Sequence, residues 1–289
     1  MTRKRFMPDL VRTAVIAVLL LWSVGPILAG LATSLSTQTE LNQVPAPLWP
    51  AHPEFGYYAA LLNPNFTVPG SSSGASEVKS FAESMKNTLV ETVATVAAVL
   101  VVCILAGYAF NRLRFPGRQI LFYGVIATLT IPAFALLAPL FRLFSDLKLI
   151  DTYPGMVLIY LSALGPLAVW LFYNYTSDLP LEIEEAALVD GCNRWQSFLL
   201  VVLPQMVPGI AAVTAIEVLS VWGQFLLPLL FAPTLATKPV TVLITEFVGK
   251  YNTNIPLISA AGMLALLPPA LVALFLNRYI RGILSGWDR

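Results

Sequence analysis

EEAALVDGCNRWQSFLLVVLPQMVPG, residues 184–209, is the one long polar interruption in the second half of a chain otherwise built to sit in lipid. Pro180 can open a helix because its missing N–H is one of the unpaired donors there. Glu182, Glu184 and Glu185 then place three carboxylates in the first turns, where the helix dipole favours negative charge. The spacing predicts a short helix from about Pro180 to Asp190. Ala187 lies three and four residues before Asp190 and Gly191, so the methyl, the carboxylate and the glycine share a face that another surface can approach closely. Gly191 turns the chain at little cost, and Trp195, Phe198, Leu199 and Val202, spaced 0, 3, 4 and 7, give the next segment an apolar stripe. Pro204 and Pro208 lead into the next apolar run. The stretch reads as a docking element, not as an active site.

The rest of the chain supplies the membrane. It is 57% hydrophobic and 11% charged, with a mean hydropathy of +0.75, against about a quarter charged in an average soluble domain. A bilayer crossing needs about 20 apolar residues. Six segments qualify, roughly 11–33, 89–110, 120–141, 154–174, 206–230 and 257–277. The first follows Arg3, Lys4, Arg5 and Arg12 without a small-residue cleavage site at the usual distance, so it is expected to be a retained helix and not a removed signal peptide. Arg112, Arg114, Arg118, Arg194, Arg278, Arg281 and Arg289 join those four to give eleven cations on one side. Lys79, Lys86, Arg142, Lys148, Lys238 and Lys250 give six on the other. The positive-inside rule then places both termini and the 178–205 loop in the cytoplasm and the 34–86 loop outside. A net charge of +1 implies no nucleic-acid partner.

The 184–209 stretch resembles the EAA loop of ATP-binding-cassette importer permeases: Glu185-Ala186-Ala187, two spacers, Asp190-Gly191, the aromatic Phe198, and Leu203-Pro204 at the family's distance. Cys192 stands where an alanine is usual. GYAFNRLRFPGR, residues 107–118, resembles the second cytoplasmic turn of carbohydrate-type permeases. WGQFLLPLLF, residues 222–231, is similar to their fifth-helix segment, with Gly223 and Gln224 where Asn and an acidic residue are usual. NRYIRGILSG, residues 277–286, resembles the tail of the smaller membrane subunit of maltose-type importers.

The resemblance implies an all-α integral membrane subunit of six transmembrane helices with a cytoplasmic two-helix coupling loop, and ATPase coupling through Glu185, Ala186, Ala187, Asp190 and Gly191. It implies three protein partners: a second permease subunit, a dimer of ATP-binding subunits and an extracytoplasmic solute-binding protein. The cargo it implies is a sugar, oligosaccharide or related polyol, carried across a bacterial cytoplasmic membrane. The other class that the hydropathy allows is an ion-coupled secondary transporter or a channel, which would need no ATPase. Such a protein should show several ionisable residues inside the membrane or inverted repeats.

The residues point to no catalyst. Gly249-Lys250 precedes Tyr251 and lacks the upstream glycine of a phosphate loop, so ATP hydrolysis is expected from a separate chain. His52 is the sole histidine, and neither it nor Cys103 and Cys192 has the company a metal site needs. No cofactor is expected. In the 34–86 loop the prolines and aromatics of its first part suit an ordered cap, whereas VPGSSSGAS has linker composition. That loop either touches a solute-binding protein or only covers helix ends.

Glu217 falls near the middle of the expected fifth helix, where an ionised group costs about 2.5–3.5 kcal/mol on insertion scales. It either lines a solute path, with Trp222 and Gln224 as the aromatic and amide that sugars use and Gln224 seven residues on along the same face, or it forms a packing hydrogen bond.

Overall fold

The computed structural model describes residues 9–63, 66, 68, 69, 75–247 and 254–285. Arg3, Lys4, Arg5, Lys250 and Arg289 lie outside them, as does most of the expected linker, and nothing is described of the Arg278 and Arg281 side chains.

Every regular element among the described residues is helical. In chain order they are α1 (Asp9–Leu35), α2 (Gln38–Leu41), α3 (Gly56–Leu62), α4 (Ala75–Arg112), α5 (Arg118–Ala127), α6 (Ala133–Asp146), α7 (Tyr153–Ser177), α8 (Leu181–Val189), α9 (Arg194–Ser197), a π-helical turn (Phe198–Val202), α10 (Leu203–Gln205), α11 (Val207–Trp222), α12 (Leu226–Phe231), α13 (Val240–Glu246) and α14 (Ile255–Ser285). Four stretches are long and apolar enough to cross a membrane unaided: Val11–Leu35, Val78–Arg112, Tyr153–Ser177 and Ile255–Leu276. Two bent pairs, Arg118–Thr130 with Ala133–Asp146 at 105° and Arg194–Gln205 with Val207–Trp222 at 71°, bring the number up to six if each pair is one span. The apolar surface of α1, with Leu21 and Trp22 exposed at 71% and 82%, suits lipid and not water.

The bends change two of the expected spans. Segment 120–141 is not one helix, because Pro132 pushes Ile131 into an extended conformation (φ −79°, ψ 122°) and itself stays extended before α6. Proline alone does not decide this, since Pro139, Pro166, Pro268 and Pro269 are carried inside helices. Segment 206–230 is also interrupted. The main-chain N–H groups of Gly223 and Gln224 turn back onto Leu219 and Val221, at 3.0 and 3.1 Å, and α12 starts only at Leu226. The 16 residues of α11 rise about 24 Å, short of a hydrocarbon core of about 30 Å.

The chain divides into two compact units, Met1–Ala82 with Leu243–Leu266, and Glu83–Val242 with Leu267–Arg289. In the first, the expected ordered cap takes shape around α2 and α3. A capping box joins Thr37 and Glu40, the Ser34 and Tyr58 hydroxyls are 2.6 Å apart, and Tyr57, Ala60 and Leu61 are buried.

Among its described residues the second unit has two apolar cores. One packs Val99, Cys103, Tyr108, Phe172, Phe198 and Met206 from α4, α7 and the turns after α9. The other gathers Phe144, Ile159, Tyr160, Val221 and Phe231 from α6, α7, α11 and α12. Gly107 lets α4 and α7 meet closely, because a Cβ there would lie 2.7 Å from the Phe172 Cβ and 2.9 Å from the Tyr173 nitrogen.

Candidate functional site

The polar stretch after Pro180 begins as two short helices joined by one glycine turn. Pro180 precedes α8 in an extended conformation, with Glu182 and Glu184 in its first turn. At the other end the Gly191 N–H donates to Leu188 O at 3.2 Å and the Cys192 N–H to Ala187 O at 3.0 Å. Gly191 adopts φ +93°, the left-handed geometry of a Schellman cap. Asn193 then opens α9 with a reciprocal box: the Gln196 N–H donates to Asn193 Oδ1 at 2.9 Å and the Asn193 N–H to Gln196 Oε1 at 2.8 Å. That box is legible in the Asn-x-x-Gln spacing, although the reading from sequence passed over it.

The loop sorts its side chains differently from the expected faces. Ala187 is buried beside Glu184, whereas Glu185, Ala186, Val189, Asp190 and Gly191 are exposed. Ala187 therefore faces the protein and does not share an outer surface with Asp190 and Gly191. The predicted stripe also splits, with Phe198 and Val202 buried and Trp195 and Leu199 exposed at 58% and 39%. Trp195 and Leu199 fall on the outer flank of the stripe and Phe198 and Val202 on its inner flank, a division that α-helical geometry already allows; the chain is π-helical over Phe198–Val202. What remains outside is a mixed surface: Glu185 and Asp190 with the apolar Val189, at 87% exposure, and Trp195.

Beneath that surface lies a charge cluster that the sequence did not announce. Arg112, in the last turn of α4, brings Nε within 2.8 Å of Glu184 Oε1. This is a close charge contact and not an aligned hydrogen bond. Its Nη2 donates to the main-chain oxygens of Thr176 at 3.0 Å and Leu179 at 2.6 Å. The Tyr108 hydroxyl, one turn earlier, donates to Glu184 Oε2 at 3.1 Å, and its ring lies 4.6 Å from that of Phe198. A cleft of about 510 Å³ opens beside the cluster, bordered by Arg114, Phe115, Glu185 and Arg194.

Within the apolar helices, Glu217 is 1% exposed and neither carboxylate oxygen has a hydrogen-bond partner among the described residues. Trp222 is buried and Gln224 half-buried. Because α11 ends at Trp222, the seven-residue spacing does not carry Gln224 along the face of Glu217.

Glu217 is not the only buried carboxylate of the apolar helices. Glu91 on α4 is equally buried and accepts from the Tyr160 hydroxyl at 3.3 Å. It belongs to a buried row of Ser84, Asn87, Thr88, Glu91, Thr92 and Thr95, spaced 0, 3, 4, 7, 8 and 11, which is one face of a helix. The upper part of the row ties down the loop before α13. Asn87 Nδ2 donates to Leu235 O at 2.8 Å, Asn87 Oδ1 accepts from the Tyr153 hydroxyl at 2.6 Å, and Thr88 Oγ1 accepts from the Val240 N–H at 2.9 Å.

Comparison with known proteins bears on the family and the fold of the chain. The family model described as "binding-protein-dependent transport system inner membrane component" matches residues 84–282. The chain is 30% identical over 274 residues to the diacetylchitobiose uptake system permease protein of Streptomyces coelicolor, covering 93% of this chain and 86% of that one. It is 30% identical over 209 residues to the trehalose transport system permease protein of Mycobacterium tuberculosis, covering 71% and 76%. Its fold matches a chain of a bacterial ABC transporter involved in the import of the acidic polysaccharide alginate, with a TM-score of 0.80, 21% identity and coverage of 96% and 98%.

Proposed function

The chain belongs to the inner membrane components of binding-protein-dependent transport systems, and from that premise we propose that this ABC importer permease moves a sugar, an oligosaccharide or a related polyol into the cell. The relatives named for diacetylchitobiose and trehalose support that cargo class. As a transport component it has no chemical step of its own to perform. In this reading the hydrolysis is done by a dimer of separate ATP-binding subunits, and a second permease chain completes the path.

One observation carries the coupling assignment. Two short helices meet at Gly191 (φ +93°) and present Glu185, Val189, Asp190 and Trp195 together on an exposed polar and apolar surface. Such a surface, standing on buried Ala187 and Phe198, suits a groove on a soluble subunit. Ala186 contributes to the contact by its small size, and Ala187 by letting α8 sit close on its own protein. The excess of arginine on the same side supports a cytoplasmic loop and cytoplasmic termini.

For the solute, the interruption between α11 and α12 supports a wall formed by Gln224, with Trp222 packed behind it. Non-helical backbone at membrane depth is tolerated where it lines a cavity. Glu217 enters this path as a buried carboxylate closed off from solvent, so its contact with solute requires a second arrangement of the helices. The test is expression with the neighbouring transporter genes, purification of the complex and measurement of its composition and cargo. An ATPase and a second permease should co-purify, and sugar-loaded binding protein should stimulate hydrolysis. Absence of any ATPase from a monodisperse, transport-competent sample would overturn the reading.

A further inference from the structure

The coupling reading says what α8 touches outside; the Arg112 cluster says how α8 is held inside. Between α7 and α8 the chain leaves helical geometry. Asp178 ends α7 and Pro180 (φ −58°, ψ 133°) precedes α8, leaving a three-residue junction, 178–180, with no helical hydrogen-bond ladder through it. A push on α8 delivered through such a junction alone would be absorbed as bending. Arg112 bridges it. Its Nη2 donates to Thr176 O and Leu179 O, oxygens at the end of α7 and within the junction, while Nε contacts Glu184 beyond it. The Arg112 side chain is 10% exposed and the Glu184 side chain 9%. Planar, always charged and carrying several donors in a fixed fork, guanidinium suits three partners at once in a way that a lysine ammonium on a flexible stem does not.

We infer that Arg112 and Glu184 form a splint across the α7–α8 junction, positioning residues that make α8 and the cytoplasmic end of α4 move as one body. The Tyr108 hydroxyl braces the free oxygen of Glu184 from the preceding turn of α4. Motion received at α8 thus passes to α4, and with it to the buried polar row that starts at Ser84, and not only along the chain into α7. This inference rests on the docking reading for the source of the push, but the rigidity it claims belongs to this chain alone.

The test uses the assembled complex reconstituted with its binding protein. Spin labels are placed at Glu182 and Val102, both exposed, with Cys103 and Cys192 replaced by serine. In the otherwise wild-type complex the α8–α4 distance should be narrow and unchanged between the nucleotide-free and ATP-trapped states. In Arg112→Gln it should broaden. The same variant should retain its ATPase subunits and basal hydrolysis while losing about tenfold in stimulation by binding protein, within the usual 5–150-fold range of coupling factors. Arg112→Lys, which keeps the charge but not the fork, should restore little of that stimulation.

A wild-type distance that shifts with nucleotide overturns the splint, as does full stimulation in Arg112→Gln. If Arg112→Gln does not assemble, the wild-type distances still decide. If no ATPase accompanies the wild-type chain, the docking reading fails, and the label distance in the isolated permease, narrow or broad, tests the splint by itself.

Discussion

Tyr160 on α7 donates its hydroxyl to Glu91 on α4 at 3.3 Å, and both side chains are 1% exposed. A buried carboxylate and a phenol thus share one bond between two long helices. Neither has water to fall back on, so the pair must be judged by what each leaves behind when the other is removed.

Glu91→Leu should lower the melting temperature of the purified complex, corresponding to about 1–3 kcal/mol for the orphaned Tyr160 hydroxyl. Glu91→Gln keeps an acceptor and should cost less. In the double variant Glu91→Leu with Tyr160→Phe, part of the loss should return, because replacing both partners of a buried hydrogen bond by apolar groups is often nearly neutral. Thermal unfolding of the wild type, Glu91→Leu, Tyr160→Phe and the double variant forms the cycle. Strict additivity would mean that the two groups do not interact.

Gly191→Asp forces a side chain into φ +93°, a conformation that costs a non-glycine residue roughly 1–2 kcal/mol. No heavy atom lies within 4 Å of a Cβ there, so the damage should be confined to the turn. Membrane insertion should survive while binding-protein-stimulated ATPase activity in proteoliposomes falls. Glu185→Lys, which reverses a charge on the exposed surface, should act alike. Wild-type stimulation in both variants would remove the docking assignment.

The proposed orientation rests on the arginine distribution. In intact cells a membrane-impermeant thiol reagent should label a cysteine introduced at Leu48, which is 96% exposed, but leave the native Cys192 untouched until the membrane is opened. Labelling of Cys192 in sealed cells would turn the molecule over and separate the loop from cytoplasmic ATP.

Glu217→Gln conserves volume and hydrogen-bonding capacity, so it should leave thermal stability nearly unchanged. Glu217→Leu separates the two roles. With no protein partner for either oxygen among the described residues, the leucine variant should be as stable as wild type or more so. Lost uptake in that variant, with ATPase coupling intact, places the carboxylate on the solute path. Normal uptake by both variants removes Glu217 from the path and leaves Gln224 as its remaining polar residue.

How much of this was legible differs from residue to residue. The turn at Gly191 and the helix before it follow from local rules, a proline start and a glycine stop, and the structure has both. Glu91 falls inside the expected span 89–110, and a criterion of about 20 apolar residues averages a polar row with the apolar face opposite it. The spacing from Ser84 to Thr95 contained the signal. The break after Trp222 is weaker in the sequence, since Gly223 is tolerated inside helices at a cost of about 1 kcal/mol. The contact between Arg112 and Glu184 could not be read at all. They are separated by a whole transmembrane hairpin, and each had a sufficient local explanation, as a membrane anchor and as a carboxylate at a helix start.

The polar row on α4 also bears on how the chain is made. Asn87 and Thr88 take their partners from Leu235 and Val240, 148 and 152 residues later. At about 5–20 residues per second of synthesis, those partners emerge roughly 7–30 s after Asn87 and Thr88 themselves. Tyr153 and Tyr160 on α7 reach Asn87 and Glu91 about half-way through that interval, but the Asn87 amide nitrogen still waits for Leu235. The nascent helix should therefore linger beside the insertion machinery or a membrane chaperone, and a ribosome-stalled chain ending before Leu235 should crosslink there from positions 84–95 while one extended past α13 should not. The same residues that lock the finished protein would time its release into the bilayer.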